Sequence, residues 1–83
     1  MNTIDQTLKK QIHRAPHKIY QVLVRTDNSC KQLAKQLSDQ GVTIHRTFRF
    51  IRTILMSASG EFLLTLSQNP HIIYIELDQE VSI

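Results

Sequence analysis

Six hydrophobic segments, which alternate between the periods of strands and helices, constrain the fold of this chain more than any other feature. Four segments are rich in β-branched and aromatic residues, which favours strands, and two repeat apolar residues every three to four positions, which favours helices. The strand segments are 19–25, 42–50, 53–58 and 72–77, and the helical segments are 30–37 and 60–68. The order β-α-β-β-α-β predicts an α+β, ferredoxin-like fold with a four-stranded antiparallel sheet and two helices on one face.

The first of these two helices has the strongest sequence signal. Cys30, Leu33, Ala34 and Leu37 recur at the spacing of one helical face. Gly41 follows where a glycine commonly ends a helix. We therefore expect the only cysteine of the chain to be a small buried side chain and not a nucleophile.

The second strand segment alternates between apolar and polar residues. Val42, Ile44, Phe48 and Phe50 share one predicted face, which Arg46 interrupts. The alternation predicts that Phe48 and Phe50 pack under the helices. The join to the third strand, at 50–52, lacks Gly, Asn and Asp and so predicts a bulge or a wide hairpin.

The N-terminal residues predict a short helix outside the main pattern. Ile4, Leu8 and Ile12 lie four residues apart, Thr3 is placed to cap the helix, and Pro16 is placed to end it. The sequence does not indicate what this apolar face packs on. The predicted organisation is an N-terminal extension over 1–17, a domain over 18–78 and a C-terminal tail over 79–83.

Charge and composition exclude several classes of protein. All 10 Lys and Arg residues lie within 1–52, whereas 53–83 contain four of the seven acids and no Lys or Arg. One cysteine excludes an internal disulfide, and no apolar run approaches the roughly 20 residues that span a bilayer. No nucleophile elbow, phosphate-binding loop or metal-ligand spacing is present, so we expect no enzyme, no cofactor, no metal and a cytoplasmic location.

The C-terminal third carries a family resemblance. A predicted helix ends at Asn69-Pro70, and the following strand places Tyr74, Glu76 and Asp78 at every second position before a short tail. This block resembles the end of a subtilisin-type propeptide of the I9 inhibitor family. The resemblance extends over roughly residues 18–83.

The resemblance implies an inhibitor or binding partner of a subtilisin-like serine protease. In that family the uncovered sheet face docks on two protease helices, acids of the last strand cap the N-termini of those helices, and the tail occupies the substrate cleft. The implied docking residues are Tyr74, Glu76 and Asp78, and the implied inhibitory tail is Gln79, Glu80, Val81, Ser82 and Ile83. Ile83 would enter the specificity pocket, whereas Glu80 departs from the apolar residue usual there.

Two alternatives remain open. The first is an adaptor that uses the same fold and sheet face for a partner other than a protease. The second is a single-stranded nucleic-acid binder that uses Arg46, Arg49 and Arg52, although the segment lacks the glycine of an RNP1 motif. We expect neither a nucleic acid nor a membrane as the partner, and we expect a monomer.

Overall fold

The computed structural model describes residues 3–27 and 29–78, which form an α+β fold with an open four-stranded antiparallel sheet and three helices. The tail residues 79–83 lie outside the described residues. The elements are α1 (Gln6–Arg14), β1 (Ile19–Thr26), α2 (Cys30–Asp39), β2 (Thr43–Phe48), β3 (Thr53–Ser59), α3 (Gly60–Leu66) and β4 (Ile72–Leu77).

The strands lie in the order β2-β3-β1-β4, and each pairs antiparallel with its neighbours. Thus β3 lies between β1 and β2, and β1 lies between β3 and β4. In β1, Val22 and Val24 are fully buried, whereas Leu23 is half-buried and Arg25 is exposed. The helices therefore cover only one face of the sheet, and the other face is uncovered.

The N-terminal helix α1 joins the core, so three helices, and not the two predicted for the fold, contribute to it. Leu8 and Ile12 of α1 are fully buried, and Ile4 retains only 5% of its surface. They belong to the same core cluster as the inward side chains of α2, α3 and the strands. The apolar face of the N-terminal extension thus packs on the domain itself, a contact that the sequence did not indicate.

The contact between α1 and α3 depends on the absence of a side chain at Gly60. A Cβ atom there would lie 2.8 Å from Cγ2 of Ile12 and 3.0 Å from the carbonyl oxygen of Pro16. The backbone N–H of Gly60 donates to the carbonyl of Lys18 at 3.1 Å. The segment between α1 and β1 therefore satisfies backbone donors at the N-terminus of α3.

The structure confirms the predicted end of α2 and corrects the predicted cap of α1. Gly41 has a φ of +89° after α2, and Val42 N–H donates to the Leu37 carbonyl, which is a Schellman motif. Two serines, Ser57 and Ser59, precede α3 in the sequence, and Ser59 is its cap, because its side chain accepts from the backbone N–H of Phe62. The cap of α1 is Asp5 instead of Thr3, because the Asp5 carboxylate accepts from Leu8 N–H at 3.1 Å.

A register shift in β2 overturns the prediction that Phe48 and Phe50 pack under the helices. Ile44 pairs with Met56, but the next paired residue is Arg46, opposite Leu55. The skipped residue reverses the face of every later side chain. Phe48 consequently lies on the uncovered face, and Phe50 is fully exposed in the loop that joins β2 to β3.

Candidate functional site

The uncovered face of the sheet, here called the open face, is the candidate functional site. Strand register aligns its side chains in three rows that cross the sheet from β2 to β4. The charged row is Arg46, Leu55, Leu23 and Glu76; the aromatic row is Phe48, Thr53, Arg25 and Tyr74; the polar row is Thr43, Ser57, Gln21 and Asp78.

The charged row has an apolar middle, and its two ends on the sheet edges carry opposite charges. Leu23 and Leu55 are half-buried neighbours on the central strands. Arg46 is exposed on β2, and Glu76 is exposed on β4. The uneven charge distribution of the sequence therefore becomes a basic edge and an acidic edge on one surface.

The predicted docking residues share the acidic edge. Glu76 pairs with Leu23 on the open face, and Asp78 reaches the same face, where its Oδ2 accepts from Gln21 Nε2 at 2.6 Å. The backbone N–H of Asp78 also donates to the Gln21 carbonyl at 3.0 Å. Gln21 thus fixes the position from which the tail departs, a role that the sequence did not predict.

Tyr74, the third predicted docking residue, is held by the N-terminal segment. Its hydroxyl donates to Oδ1 of Asp5 at 3.2 Å, while Oδ2 of Asp5 caps α1. Partial burial, the hydrogen bond to Asp5 and the charges of Asp5 and Glu76 raise the pKa of Tyr74 above its ordinary value. The hydroxyl is therefore a hydrogen-bond donor at neutral pH, and the ring stays fixed beside the acidic edge.

The outer edge of β4 is also engaged by the N-terminal segment. Ile4 forms a parallel bridge with Ile75, whose N–H donates to the Thr3 carbonyl and whose carbonyl accepts from Asp5 N–H, both at 2.8 Å. These bonds occupy the backbone groups that an exposed edge strand would offer to a partner. The middle of the β4 edge is therefore not available for the addition of another strand.

A concavity of about 350 Å³ lies in the open face, lined in part by Phe48, Ile51 and Tyr74. Beside it, Phe50 is fully exposed, and Ile51 and Ile73 are at least half exposed. Large apolar side chains exposed together are typical of surfaces that bind another protein. The sequence pattern did not predict this cluster, because it assigned Phe50 to the second strand, on the face under the helices, whereas β2 ends at Phe48.

The arginines of the nucleic-acid alternative do not form one platform. Arg46 lies on the open face, whereas Arg49 and Arg52 lie in the loop, and Nη1 of Arg52 donates to the carbonyl of Asp27 at 3.1 Å. The central strands present Leu23 and other non-aromatic side chains on the open face. Base-stacking sheets carry aromatic residues at these central positions, so the arrangement disfavours this alternative.

Comparison with protein-family models and with curated protein sequences found no match. Within the part of the chain that the structure describes, no helix is long and apolar enough to cross a bilayer. In that same part, no group of three or more His, Cys, Asp or Glu side chains could hold a metal ion. Cys30 is buried, as its position on the apolar stripe predicted.

Proposed function

We propose that the protein binds subtilisin-like serine proteases through the open face and inhibits them by placing its C-terminal tail in the substrate cleft. The observation that carries the proposal is that Tyr74, Glu76 and Asp78 all lie on the uncovered face of the strand that leads into the tail. Two carboxylates at this position match the acidic strand of the I9 propeptides that the sequence resembles.

The proposed fold is a ferredoxin-like unit, β1 to β4 with α2 and α3, to which α1 has been added. Both crossovers support it, because each connects strands that are separated by one inserted strand. In such a unit one sheet face is free to receive a partner. The half-buried Leu23 and Leu55 at its centre provide the apolar surface on which protease helices would pack.

The acidic edge provides a specific contact for the N-termini of those helices. The first turn of a helix has unpaired N–H groups and a partial positive charge, and a carboxylate there contributes about 0.3–1 kcal/mol. Glu76 is exposed and has room to make this contact. Asp78 is already oriented by Gln21, so less conformational freedom is lost when a partner binds.

The test is inhibition of a panel of subtilisin-like proteases by the full chain, measured with a peptide substrate. We expect slow-dissociating inhibition that is lost when residues 80–83 are deleted. The double variant Glu76→Gln/Asp78→Asn should raise the inhibition constant about tenfold, because two contacts of about 0.7 kcal/mol each are removed. Glu61→Gln, which removes an exposed carboxylate on α3, is the matched control and should leave the constant unchanged.

If the full chain leaves every protease in the panel active, inhibition is excluded. The adaptor alternative then gains support. Docking on a protease through the open face uses neither helix α1, which is part of the core, nor the exposed Phe50, so these features would be explained by a different partner. Capture of one dominant partner that is not a protease, lost on charge reversal of Glu76, would establish the adaptor. A shift of single-stranded RNA at low salt would instead establish the nucleic-acid alternative.

A further inference from the structure

The charged row of the open face is complementary to itself when its direction across the sheet is reversed. Register places Arg46 opposite Leu55, Leu55 opposite Leu23, and Leu23 opposite Glu76. Across the sheet the row therefore reads cation, leucine, leucine, anion. In the reverse direction the row reads anion, leucine, leucine, cation. If the two directions are superimposed, each cation lies on an anion and each leucine on a leucine.

We propose that the open face binds a second copy of this chain, through a two-fold axis that runs parallel to the strands and passes between β3 and β1. This rotation turns the sheet over and places β2 of one copy above β4 of the other. Arg46 then faces Glu76 of the partner copy twice in each dimer, and Leu23 faces Leu55. Sheets packed face to face lie about 10 Å apart, a gap that arginine and glutamate side chains together span.

The other two rows agree with the same axis. In the aromatic row, the rotation places Phe48 above Tyr74 of the partner copy, a pair of rings that can stack. In the polar row, it places Ser57 above Gln21, which can hydrogen-bond. The rotation also places Arg25 above Thr53 of the partner copy, whose hydroxyl oxygen can accept from the guanidinium. No like charges meet in any of the three rows, so the surface is self-complementary, as a two-fold interface requires.

The other in-plane axis, perpendicular to the strands, is disfavoured by charge. It would place β2 above β2 and β4 above β4. Arg46 would then lie near Arg46 of the second copy, and Glu76 near Glu76. Like charges brought together in an interface oppose association, so the charges select the axis parallel to the strands.

The size of the face predicts a weak dimer. Four strands about 4.8 Å apart, with five or six residues each, make a face of about 19 Å by 19 Å. Two such faces bury roughly 700–800 Å² in total, below the range of about 1,200–2,000 Å² for stable complexes. The monomer expected from the sequence therefore predominates when dilute, and the dimer forms as concentration rises.

This inference does not rest on the proposed function, since it requires no protease. It has a consequence for that function, because the dimer covers the surface that the protease would occupy. The dimer would then have to dissociate before the protein could inhibit a protease. The two proposals are tested by different readouts, mass in one case and residual protease activity in the other.

The test is sedimentation velocity of the full chain over a concentration series, with two charge-reversal variants. We expect wild type to approach twice 9.6 kDa as concentration rises. Arg46→Glu and Glu76→Lys should each weaken self-association at least about tenfold, because each creates like-charged pairs. An equimolar mixture of the two variants should associate again, because each copy then offers the charge that the other needs, and the double variant should also dimerise.

The matched controls are Lys35→Glu and Glu61→Lys, which make the same charge changes at exposed positions on helices. They should associate like wild type, and circular dichroism should show that all variants fold. A wild type that stays monomeric at millimolar concentration overturns the proposal, and so does a mixture of variants that remains monomeric. If wild type stays monomeric but binds a protease through the open face, the dimer proposal is wrong and the face binds the protease alone.

Discussion

Replacing Leu8 by alanine is expected to lower the free energy of unfolding by about 2–5 kcal/mol, the usual cost of truncating a fully buried leucine. Leu8 has no exposed surface and lies in the core cluster that joins α1 to the rest of the fold. The measurement is chemical denaturation followed by circular dichroism. Lys9→Ala, in the same helix but exposed, is the matched control and should change stability by less than about 0.5 kcal/mol.

This prediction tests whether the N-terminal extension is part of the folding unit. A nine-residue helix is too short to be stable alone in water, so α1 depends on the contacts of Leu8 and Ile12. If α1 were a detachable appendage, Leu8→Ala and Lys9→Ala would have the same small effect. Equal stabilities for these two variants would therefore contradict the arrangement of α1 described above.

Replacing Gly60 by alanine is expected to destabilise the protein by about 1–3 kcal/mol, the usual cost of overpacking a core. At an exposed helical position the same change would be favourable by roughly 1 kcal/mol. Here the new methyl group would meet Cγ2 of Ile12 at 2.8 Å and the carbonyl of Pro16 at 3.0 Å. Ile12 is β-branched and fully buried, so it cannot move aside without disturbing its own contacts.

A double-mutant cycle separates this steric conflict from other effects of alanine. In an Ile12→Ala background the Ile12 methyl group is absent and only the conflict with the Pro16 carbonyl remains, so Gly60→Ala should cost less than in wild type. The readout is the coupling energy from denaturation of the four proteins. Additive effects of the two substitutions would mean that Gly60 and Ile12 are not in contact.

Local sequence signals predicted much of the secondary structure. The apolar stripe of α2 and the glycine after it were sufficient to predict this helix and its end, because both signals lie within one short segment of the sequence. Gly41 ends α2 in the left-handed conformation, as the sequence indicated. The last strand, Ile72–Leu77, has the predicted bounds, and its alternation placed Glu76 on the open face.

The assignment of faces in β2 failed because alternation assumes an unbroken strand. The register skips His45, so Arg46 and Phe48 lie on the open face instead of the core side. The apparent interruption of the apolar face at Arg46 was in fact the signal of the bulge. Sequence alone could not choose between the two explanations, because the partner residues that define register lie on another strand.

Contacts between distant segments were the other part that the sequence left undetermined. Asp5 caps α1 and also accepts from Tyr74, 69 residues away. Gln21 orients Asp78, 57 residues away. Neither pair has a local pattern, because each depends on the order of the strands and on the path of the N-terminal segment along β4.

The most direct test of the central claim is to titrate an active-site-blocked subtilisin-like protease into the isotope-labelled full chain and follow its amide NMR signals. We predict the largest changes at open-face residues, notably Leu23, Leu55 and Glu76, with little change at the exposed helix residues Lys35 and Glu61. Changes confined to the helices would contradict docking through the open face, as would a spectrum left unaltered at saturating protease.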